Sequence, residues 1–570
     1  MNMRAKELAA ILTIFLAFLG CSDDTEKDEG GTDFFETPLA EQGISNAEIP
    51  VFEQAVAALI ADPDVDFVAT REDRTYRVHA ARGSVFFRRV QTRSGYEYVE
   101  DRVEGVNPVG RQDPGWVAAY DEELAAGSNP NEVDLPGEGY ARGDPRLSFI
   151  EPQDDSYPFG YERIAAYFDH PDSADFMVNP KAYAHAVGEL GGHGSLGTVQ
   201  SRCPLVLWGA GIRPGRIESH ARQVDLAPTV ARLLGMPATL GVDERGIWSR
   251  AVRLKWQDGH VLEEVLDGGL SQRVILVVCD GLAHTEFFHQ IESRNDALPN
   301  LSRLVEEGAW FDHGSITNWP SVTYPGHNTI GSGLYSGHHG LVDNSYYLRA
   351  SGRVASPISQ LLLTEELFNP CGPGESLHMA LHRSFGSWDP DDRAGAFTAS
   401  LMDPSVKDAD KADLEFRDRF YPGQEFPPVF VEEPPEVPGL DNSLQHIESV
   451  GEQLAEVVAM YELYHLCTRD PGAVPTYVIL NFITTDGTGH ANGPHGDEMK
   501  KVLDHIDANF GVLHDWLAAW GLLEETTIIL TSDHGMQLGD PSRSGSVLDR
   551  LDAVGIRYRK GTGMGVYLER

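Results

Sequence analysis

The chain has few cysteines and few basic residues for its length. It contains five cysteines in 570 residues, and two of them, Cys203 and Cys279, lie in apolar stretches with the pattern of β-strands. A framework of disulfide bonds is therefore not indicated. Lysine and arginine together number 45 against 87 aspartates and glutamates, so the net charge is −42. This charge argues against a scaffold for nucleic acids, but it does not exclude a small anionic ligand beside bound metal ions.

The apolar run near the first residue is too short to cross a membrane. It covers residues 8–19, twelve residues in all, whereas a helix needs about 20 to span a hydrocarbon core of ~30 Å. Arg4 and Lys6 precede the run, and small residues follow it. This arrangement predicts a secretory signal over residues 1–21.

Cys21 directly follows Gly20, as at the acylation site of bacterial lipoproteins. Phe18 stands where that pattern usually has leucine, so ordinary secretion or an uncleaved anchor stays open as an alternative. Residues 22–46 are rich in Asp, Glu, Gly and Thr with almost no apolar clustering, which predicts an acidic, disordered tether. We therefore expect export to the cell envelope of a bacterium, at the periplasmic or outer-membrane face, with a lipid on Cys21 as the link to the membrane.

From residue 47 onward the composition is that of a folded protein. Residues 51–60 have helical periodicity, and residues 66–87 alternate like an antiparallel meander of two or three strands. A strand is predicted over residues 203–211, followed by a helix with Asp225 as its N-cap and residues 235–237, Gly-Met-Pro, as its stop. The pattern favours an α/β protein.

Three apolar segments each end in an aspartate. They read R-V-I-L-V-V-C-D to Asp280, T-Y-V-I-L-N-F-I-T-T-D to Asp486, and T-T-I-I-L-T-S-D to Asp533. Ligand groups in open α/β sheets collect at the carboxyl ends of the strands, so we expect these carboxylates to converge. His490 lies four residues after Asp486 in a glycine-broken loop, and His534 follows Asp533 directly. Aspartate and histidine in this pattern are the ligands expected for zinc or a similar divalent ion.

Thr323 stands between Val322 and Tyr324, just before a run of small residues suited to the start of a helix. Taken alone, a threonine here is more often a turn residue, and single histidines are more often surface or capping residues. It is the combination of this hydroxyl with the aspartates at strand ends that favours a reactive site.

Five short blocks resemble the alkaline-phosphatase superfamily, specifically its nucleotide pyrophosphatase and type I phosphodiesterase branch. The blocks are C-D-G at 279–281, V-T-Y-P-G-H at 322–327 with H-G-L-V-D-N ending at 344, D-G-T-G-H at 486–490, S-D-H-G-M at 532–536, and G-G-H-G-S-L at 191–196. The resemblance implies a three-layer α/β/α sandwich with a mostly parallel central sheet and an inserted cap.

The resemblance also implies a site with two divalent metal ions, with zinc as the expected metal. One ion would be held by Asp280, Thr323, Asp533 and His534, and the other by Asp486, His490 and His193. Thr323, activated by contact with an ion, would attack phosphorus in line and form a phosphothreonine. Asn344 lies 344 − 323 = 21 residues after Thr323, and its amide and the backbone N–H after Thr323 would donate to a phosphate oxygen. The substrate would be a small phosphorylated molecule, a nucleotide or another phosphodiester.

The block around His193 precedes the others, although the family pattern places it last. Only 570 − 536 = 34 residues follow the S-D-H-G-M block, and the family's continuation is found from residue 51 onward. We therefore predict a circular permutation, in which residues 47–254 are the family's second half, residues 271–570 its first half, and residues 255–270 the new connection. A truncated or mis-assembled gene is the alternative.

Residues 346–475 carry no pattern typical of a sheet and are predicted to be a cap inserted into one large catalytic domain. Within them, residues 422–439 are rich in proline and glutamate, and residues 441–467 have the periodicity of an amphipathic helix. No motif in this segment indicates the leaving group.

The leading prediction is an enzyme that hydrolyses phosphodiester or pyrophosphate bonds. Related threonine-type monoesterases carry a Lys-x-Arg pair, and here Lys407 is followed by Asp408 and Ala409, which favours diesters over monoesters. A sulfatase is disfavoured because no C-x-P-S-R block is present, whereas phosphonate cleavage stays open. A binding module on a decayed fold is the alternative outside enzymes, and the presence of all the implied ligands argues against it. His327, His338, His339 and His495 are left without a role as ligands and are expected to be structural or supporting residues.

Overall fold

The computed structural model of the protein describes residues 49–112, 151–181, 183–184, 189–357, 363–412, 437–440, 450–469, 474–540, 543, 545–560 and 564–569. Its α-helices are α1 (Ile49–Ile60), α2 (Gly160–Tyr167), α3 (Thr198–Ser201), α4 (Leu226–Leu233), α5 (His284–Arg294), α6 (Pro299–Glu307), α7 (Thr323–Ile330), α8 (Ser336–His339), α9 (Leu363–Leu367), α10 (Leu377–Phe385), α11 (Val450–Arg469), α12 (Thr484–Asn492), α13 (Asp497–Ala519) and α14 (Asp549–Ala553). Its strands are β1 (Val65–Glu72), β2 (Thr75–Ala80), β3 (Gly83–Thr92), β4 (Gly95–Gly105), β5 (Phe176–Pro180), β6 (Gly191–Gly192), β7 (Arg202–Cys203), β8 (Leu205–Gly209), β9 (Gly215–Ile217), β10 (Ala221–Arg222), β11 (Thr239–Val242), β12 (Trp248–Val252), β13 (Arg273–Cys279), β14 (Ala309–Phe311), β15 (Ser315–Ile316), β16 (Tyr346–Leu348), β17 (Arg353–Ala355), β18 (Thr398–Leu401), β19 (Lys411–Ala412), β20 (Tyr477–Phe482), β21 (Thr526–Thr531), β22 (Gln537–Leu538), β23 (Tyr558–Lys560) and β24 (Gly565–Leu568).

The central sheet has eight strands in the order β19-β18-β20-β13-β21-β8-β14-β9. Strands β19, β18, β20, β13 and β21 run parallel to one another, whereas β8 is antiparallel to β21. Cys279 of β13 is level with Phe482 of β20, and Val278 of β13 is level with Thr531 of β21. The predicted mostly parallel sheet is confirmed, and the carboxyl ends of its three middle strands lie side by side at one edge.

Both faces of the central sheet are buried, which is why its strands are continuous apolar runs. Val277 and Cys279 of β13 belong to one core, which also contains residues of α5, α6, α11 and α13. Leu276 and Val278, which alternate with them, belong to a second core with residues of α4 and α10. Helices therefore cover the sheet on both sides, which confirms the predicted three-layer α/β/α arrangement.

A second sheet has seven strands in the order β23-β24-β5-β1-β2-β3-β4. The predicted meander is present as β1, β2 and β3. Strand β4 continues it on one side, and β5 and β24 extend it on the side of β1. Phe52 and Leu59 of α1 pack in one core with Leu551 of α14 and Val566 of β24. Both sheets therefore combine strands from before residue 254 with strands from after residue 271. In the central sheet, β8 and β9 come from the earlier part of the chain.

The segment predicted as a cap contributes strands to the central sheet, which its sequence pattern did not indicate. β18 is fully buried and pairs in parallel with β20, while β19 forms the edge of the sheet. Both strands are so short, four and two residues, that they show no periodicity. The predicted helix is found from Val450 as α11. Residues 441–449 and most of the proline-rich run lie outside the described residues.

Two local predictions between residues 203 and 225 need correction. The predicted single strand is divided into β7 and β8 by Pro204, which has no N–H to donate to a neighbouring strand. Asp225 directly precedes α4 but does not cap it with its side chain. Its carboxylate instead accepts hydrogen bonds from the backbone N–H groups of Arg222, at 2.8 Å, and His260, at 2.9 Å.

The four cysteines in the described part of the chain are free thiols, in agreement with the sequence analysis. Cys203 and Cys279 are fully buried, and burial raises the pKa of each thiol well above its usual range. Of the helices described above, none combines the length and the apolar character needed to cross a bilayer.

Candidate active site

The predicted aspartates meet at the carboxyl edge of the central sheet. Asp280 directly follows β13, and Asp533 lies two residues beyond β21. The predicted loop around Asp486 and His490 is wrong. Both residues lie on one face of helix α12, four residues apart. The glycines in this region serve close packing. Gly281 has a φ of +69°, and a side chain there would lie 2.8 Å from the Oδ1 atom of Asp486.

One cluster of ligand groups joins His193 to Asp486 and His490, although 297 residues separate the two histidines. Their Nε2 atoms are 3.1 Å apart. The Oδ1 atom of Asp486 lies 3.7 Å from the Nε2 atom of His193 and 3.5 Å from that of His490. These separations match those between ligands that share one metal ion with bonds of about 2.0–2.2 Å.

The backbone fixes which nitrogen of each histidine faces the cluster. The Nδ1 atom of His193 lies 3.0 Å from the carbonyl oxygen of Ser321, and that of His490 lies 3.0 Å from the carbonyl oxygen of Gly191. Because a carbonyl only accepts, each Nδ1 carries the hydrogen and each Nε2 is left for a cation, as in metal-binding histidines generally.

The two imidazoles differ in their affinity for protons. Burial, and then the nearby charges of His534 and His490, hold the pKa of His193 well below its usual range. Burial also lowers the pKa of His490, but the carboxylates of Asp486 and Glu189 outweigh it and raise the value to about 9. A cation bound here must therefore displace a proton from His490.

A second cluster joins Asp280, Asp533, His534 and Thr323. The Nε2 atom of His534 lies 3.1 Å from the Oδ2 atom of Asp533, 3.5 Å from the Oδ1 atom of Asp280 and 3.4 Å from the hydroxyl of Thr323. Its Nδ1 donates to the carbonyl oxygen of Gly535 at 3.0 Å, so its Nε2 is again the nitrogen available to a cation. The rings of His193 and His534 stack with centroids 3.7 Å apart, and the two clusters are therefore adjacent.

Each aspartate of the site has one buried carboxylate oxygen that accepts no hydrogen bond from any residue within the described ranges: Oδ1 of Asp280, Oδ1 of Asp486 and Oδ2 of Asp533. The other oxygen of Asp533 accepts from the backbone N–H of Gly281 at 3.0 Å. Burial and the charge of Asp280 raise the pKa of Asp533 to about 7. Buried carboxylates in contact are costly unless cations neutralise them. This donor set of carboxylate oxygens and imidazole nitrogens fits zinc or a similar divalent ion.

Thr323 is the first residue of α7, as its sequence context predicts, and it is partly exposed. Its hydroxyl therefore lies at the positive end of the helix dipole. Asn344 is beside it, since the backbone N–H of Tyr324 donates to the Oδ1 atom of Asn344 at 2.8 Å. The two expected phosphate donors thus contact each other. In this arrangement the N–H is occupied, and the Asn344 amide NH₂ is the donor that the bond leaves free; donation by both groups to a phosphate stays a prediction.

Two residues without a role in the sequence analysis lie against the second cluster. His327, one turn after Thr323 on α7, has its Nε2 atom 3.4 Å from Asp280 and 3.6 Å from Asp533. Its Nδ1 atom contacts the carboxylate of Asp403 at 2.6 Å. Asp403 follows β18 at the same carboxyl edge of the sheet. An aspartate after a strand would have indicated a site residue here, but β18 itself was not predicted.

The other unassigned histidines make structural contacts. His338 bridges the carboxylates of Asp169 and Asp258, at 2.8 and 2.6 Å. His495 contacts Glu286 at 2.9 Å. That they are not metal ligands stays a prediction.

The fold and the site together define an α/β protein with a candidate metal centre of carboxylates and histidines beside a threonine at the start of a helix. A family sequence model described as "Type I phosphodiesterase / nucleotide pyrophosphatase" matches residues 274–568, more than half of the chain. The protein belongs to this family. The match does not include His193, which the structure nevertheless brings to the centre.

Curated relatives match about half of the chain. Ectonucleotide pyrophosphatase/phosphodiesterase family member 1 of Mus musculus is 25% identical over 270 residues, 47% of this chain and 24% of the relative. Family member 7 of Rattus norvegicus is 24% identical over 281 residues, 48% of this chain and 54% of the relative. The bis(5'-adenosyl)-triphosphatase ENPP4 of Bos taurus is 26% identical over 266 residues, 46% and 47% of the two chains. The chain thus spans from about a quarter to about half of the length of these relatives.

Among solved structures, murine ectonucleotide pyrophosphatase/phosphodiesterase 5, in an inactive form in complex with AMP, is 17% identical to the chain. The alignment covers 47% of this chain and 57% of that one, with a TM-score of 0.30.

We expect replacement of His193 by alanine to weaken the binding of a divalent cation by at least about tenfold, because the first cluster loses one of its three ligand groups. Titration of the metal-free protein with zinc against a chromophoric chelator measures the effect. His514→Ala, which removes a histidine at the surface, serves as the control and should leave the titration unchanged. Equal affinities of the wild type and His193→Ala would contradict this account of the cluster.

Proposed function

We propose that the protein is a metal-dependent hydrolase of phosphodiester or pyrophosphate bonds that acts through a phosphothreonine intermediate. The observation that carries the proposal is the position of the Thr323 hydroxyl, 3.4 Å from the Nε2 atom of His534 in the second cluster and beside the first. Membership of the type I phosphodiesterase family supports the same reaction class.

The arrangement of buried and exposed groups suits a substrate that approaches from one side. Asp280, Asp533 and His534 are 0–3% exposed, whereas Thr323 and Asn344 are partly exposed. A phosphate group can therefore reach the hydroxyl and the amide without displacing the buried carboxylates.

In the reaction, the Thr323 oxygen forms a bond to phosphorus while the bond from phosphorus to the leaving oxygen breaks. A water molecule then attacks phosphorus on the opposite side from Thr323 and releases the threonine. The Asn344 amide donates to a non-bridging oxygen, whose negative charge increases during both steps. Two divalent ions, one in each cluster, would supply the positive charge that lowers the pKa of the hydroxyl and stabilises the leaving oxygen. We propose zinc for both because the ligands are imidazole and carboxylate groups.

The proposed substrate is a nucleotide or another small phosphodiester. The names of the relatives refer to nucleotide pyrophosphatases and a bis(5'-adenosyl)-triphosphatase, and one solved structure contains AMP. Lys407 is followed by Asp408 and Ala409, without the arginine of the Lys-x-Arg pair, and its ammonium group donates to the backbone oxygen of Glu365 at 3.2 Å. This contact supports a preference for diesters over monoesters.

The zinc-loaded wild type should hydrolyse bis(p-nitrophenyl) phosphate faster than p-nitrophenyl phosphate. Thr323→Ala should lower kcat for the diester by at least ~10³-fold, since a nucleophile of this type is essential to the covalent route. The variant should still bind zinc. Thr239→Ala, at a distant strand, is the matched control. If Thr323→Ala keeps its activity, the proposed nucleophile is wrong, and if the wild type cleaves only the monoester, the proposed substrate class is wrong.

We also propose that the chain is a circular permutant of its family. The family model ends at residue 568 and does not extend to residues 49–254. Those residues nevertheless supply His193 to the site and β8 and β9 to the central sheet. The packing of α1 against β24 supports a continuation of the family order from residue 569 to residue 49.

A rejoined chain, running from residue 269 to 570 and then through a flexible linker from 47 to 268, should therefore fold and bind zinc like the wild type. The cut falls between Gly268 and Gly269, and Leu270 beside it is 61% exposed, so that little packing is lost. The control carries the same linker but is cut inside β13 and should not fold. A rejoined chain that does not fold would contradict the proposed order. Circular dichroism measures the folding of the rejoined chain and of its control, and zinc titration measures their metal binding.

We further propose that residues 1–21 direct export and that Cys21 is acylated, which would place the enzyme at the bacterial cell envelope. These residues lie outside the described part of the chain. We expect mass spectrometry of the mature protein to show an acylated Cys21 as its first residue, and Cys21→Ser to release the protein from membranes. A mature chain that begins elsewhere would contradict the acylation.

A further inference from the structure

A buried histidine and aspartate lie directly behind the second cluster. The side chains of His327 and Asp403 are both 0% exposed, and the Nδ1 atom of His327 is 2.6 Å from the Oδ2 atom of Asp403. His327 belongs to α7, the helix that begins with Thr323, whereas Asp403 follows β18 in the segment of residues 346–475 that was predicted to be a cap. The pair therefore connects the helix of the proposed nucleophile to this segment.

The two oxygens of Asp280 face in different directions. Its Oδ1 atom is 3.5 Å from the Nε2 atom of His534 and accepts no hydrogen bond from the described residues. Its Oδ2 atom accepts from the Asn481 amide at 3.3 Å and lies 3.4 Å from the Nε2 atom of His327. His327 and His534 thus contact different oxygens of Asp280, and the Nε2 atom of His327, also 3.6 Å from the Oδ2 atom of Asp533, makes no hydrogen bond within the described part of the chain.

Asp403 is itself held in place. Its Oδ1 atom accepts from the backbone N–H of Ser405 at 2.7 Å, and its carbonyl oxygen accepts from the Ser400 hydroxyl at 2.9 Å. Helix α7 is also fixed, because a Cβ atom on Gly326 would lie 2.7 Å from the backbone oxygen of Asp533. The His327 ring is therefore held from both sides and cannot turn away from Asp280 without breaking the contact with Asp403.

We propose that His327, oriented by Asp403, is a positioning residue: its Nε2 atom, 3.4 Å from the Oδ2 atom of Asp280, closes to a hydrogen bond when the second cluster holds an ion and so directs Oδ1 towards that ion. The inference rests on the proposed function in one respect, that the second cluster holds a divalent ion. Groups that orient a ligand in this way typically contribute 10–100-fold to metal affinity. His327 then acts on the ion through Asp280 and does not touch the substrate.

Two substitutions separate the contacts of His327. In His327→Asn the amide can replace Nδ1 but does not reach Asp280, whereas in His327→Gln the longer side chain can replace Nε2. We expect His327→Asn to weaken the binding of one zinc ion by about 10–100-fold and to leave the other ion unchanged. His327→Gln should retain most of the affinity. Competition between the metal-free protein and a chromophoric chelator for zinc measures the zinc affinity of both sites without an activity assay.

The matched control is His495→Asn. His495 is also buried, and its Nδ1 atom contacts the carboxylate of Glu286 at 2.9 Å, so the substitution alters a comparable contact away from Asp280 and Asp403. Asp403→Asn provides a second route, since it disturbs the orientation of His327 and leaves the ring in place. It should give a smaller loss of affinity at the same site. Urea unfolding confirms that each variant is folded.

Activity gives an independent readout. If His327 only positions a ligand, kcat of His327→Asn should return to within a few fold of the wild type at saturating zinc, while the zinc concentration for half-maximal activity rises. Unchanged zinc affinity in folded His327→Asn would overturn the proposal. So would a wild type that binds three ions, one of which is lost in this variant, because His327 would then itself be a ligand. A wild type that binds zinc with the expected dependence on His327 but cleaves no phosphate ester would instead overturn only the proposed function.

Discussion

The structure depends on placing three aspartate carboxylates close together in a largely buried site. Two of them, Asp280 and Asp533, follow neighbouring parallel strands, and Asp486 lies on the helix after the third strand. Each has one carboxylate oxygen that accepts no hydrogen bond from the described residues. Burial, and then repulsion from Asp280, raise the pKa values of Asp486 and Asp533. Such a group is stable only if positive charge is brought to it. The histidines around it, oriented with Nε2 inwards by backbone carbonyl groups, provide the remaining ligands for that charge.

The backbone that holds His193 explains how a residue so distant in the chain reaches this group. Ser321, two residues before Thr323, accepts from the Nδ1 atom of His193 and donates its hydroxyl to the carbonyl oxygen of Ser195 at 2.7 Å. The buried guanidinium of Arg163 donates to the carbonyl oxygens of Leu196 and Asn318, at 2.9 and 3.0 Å. The His193 loop and the segment that leads to the nucleophile are thus bonded to each other. The order of the halves along the chain is therefore of little consequence for the geometry of the site.

The sequence predicted those parts of the site that follow from long, regular strands. Asp280 and Asp533 could be placed because the apolar runs before them are long enough to indicate parallel strands, whose carboxyl ends share an edge. The helix around Asp486 was misread as a loop, because Gly487 and Gly489 suggest a break. Close packing of Gly489 against Met536 explains its presence in a helix. β18 has four residues and no visible period, so neither the strand nor Asp403 after it could be predicted.

The position of Asp403 also changes the interpretation of the segment predicted to be a cap, residues 346–475. A cap that only covers a site can vary without effect on the ligands beneath it. Here the segment contributes two strands to the central sheet and ends one of them, β18, next to a carboxylate that contacts His327. His327 lies on the same helix as Thr323 and faces Asp280. A change in the packing of β18 would therefore reach both Thr323, the proposed nucleophile, and Asp280, a proposed metal ligand, through one helix.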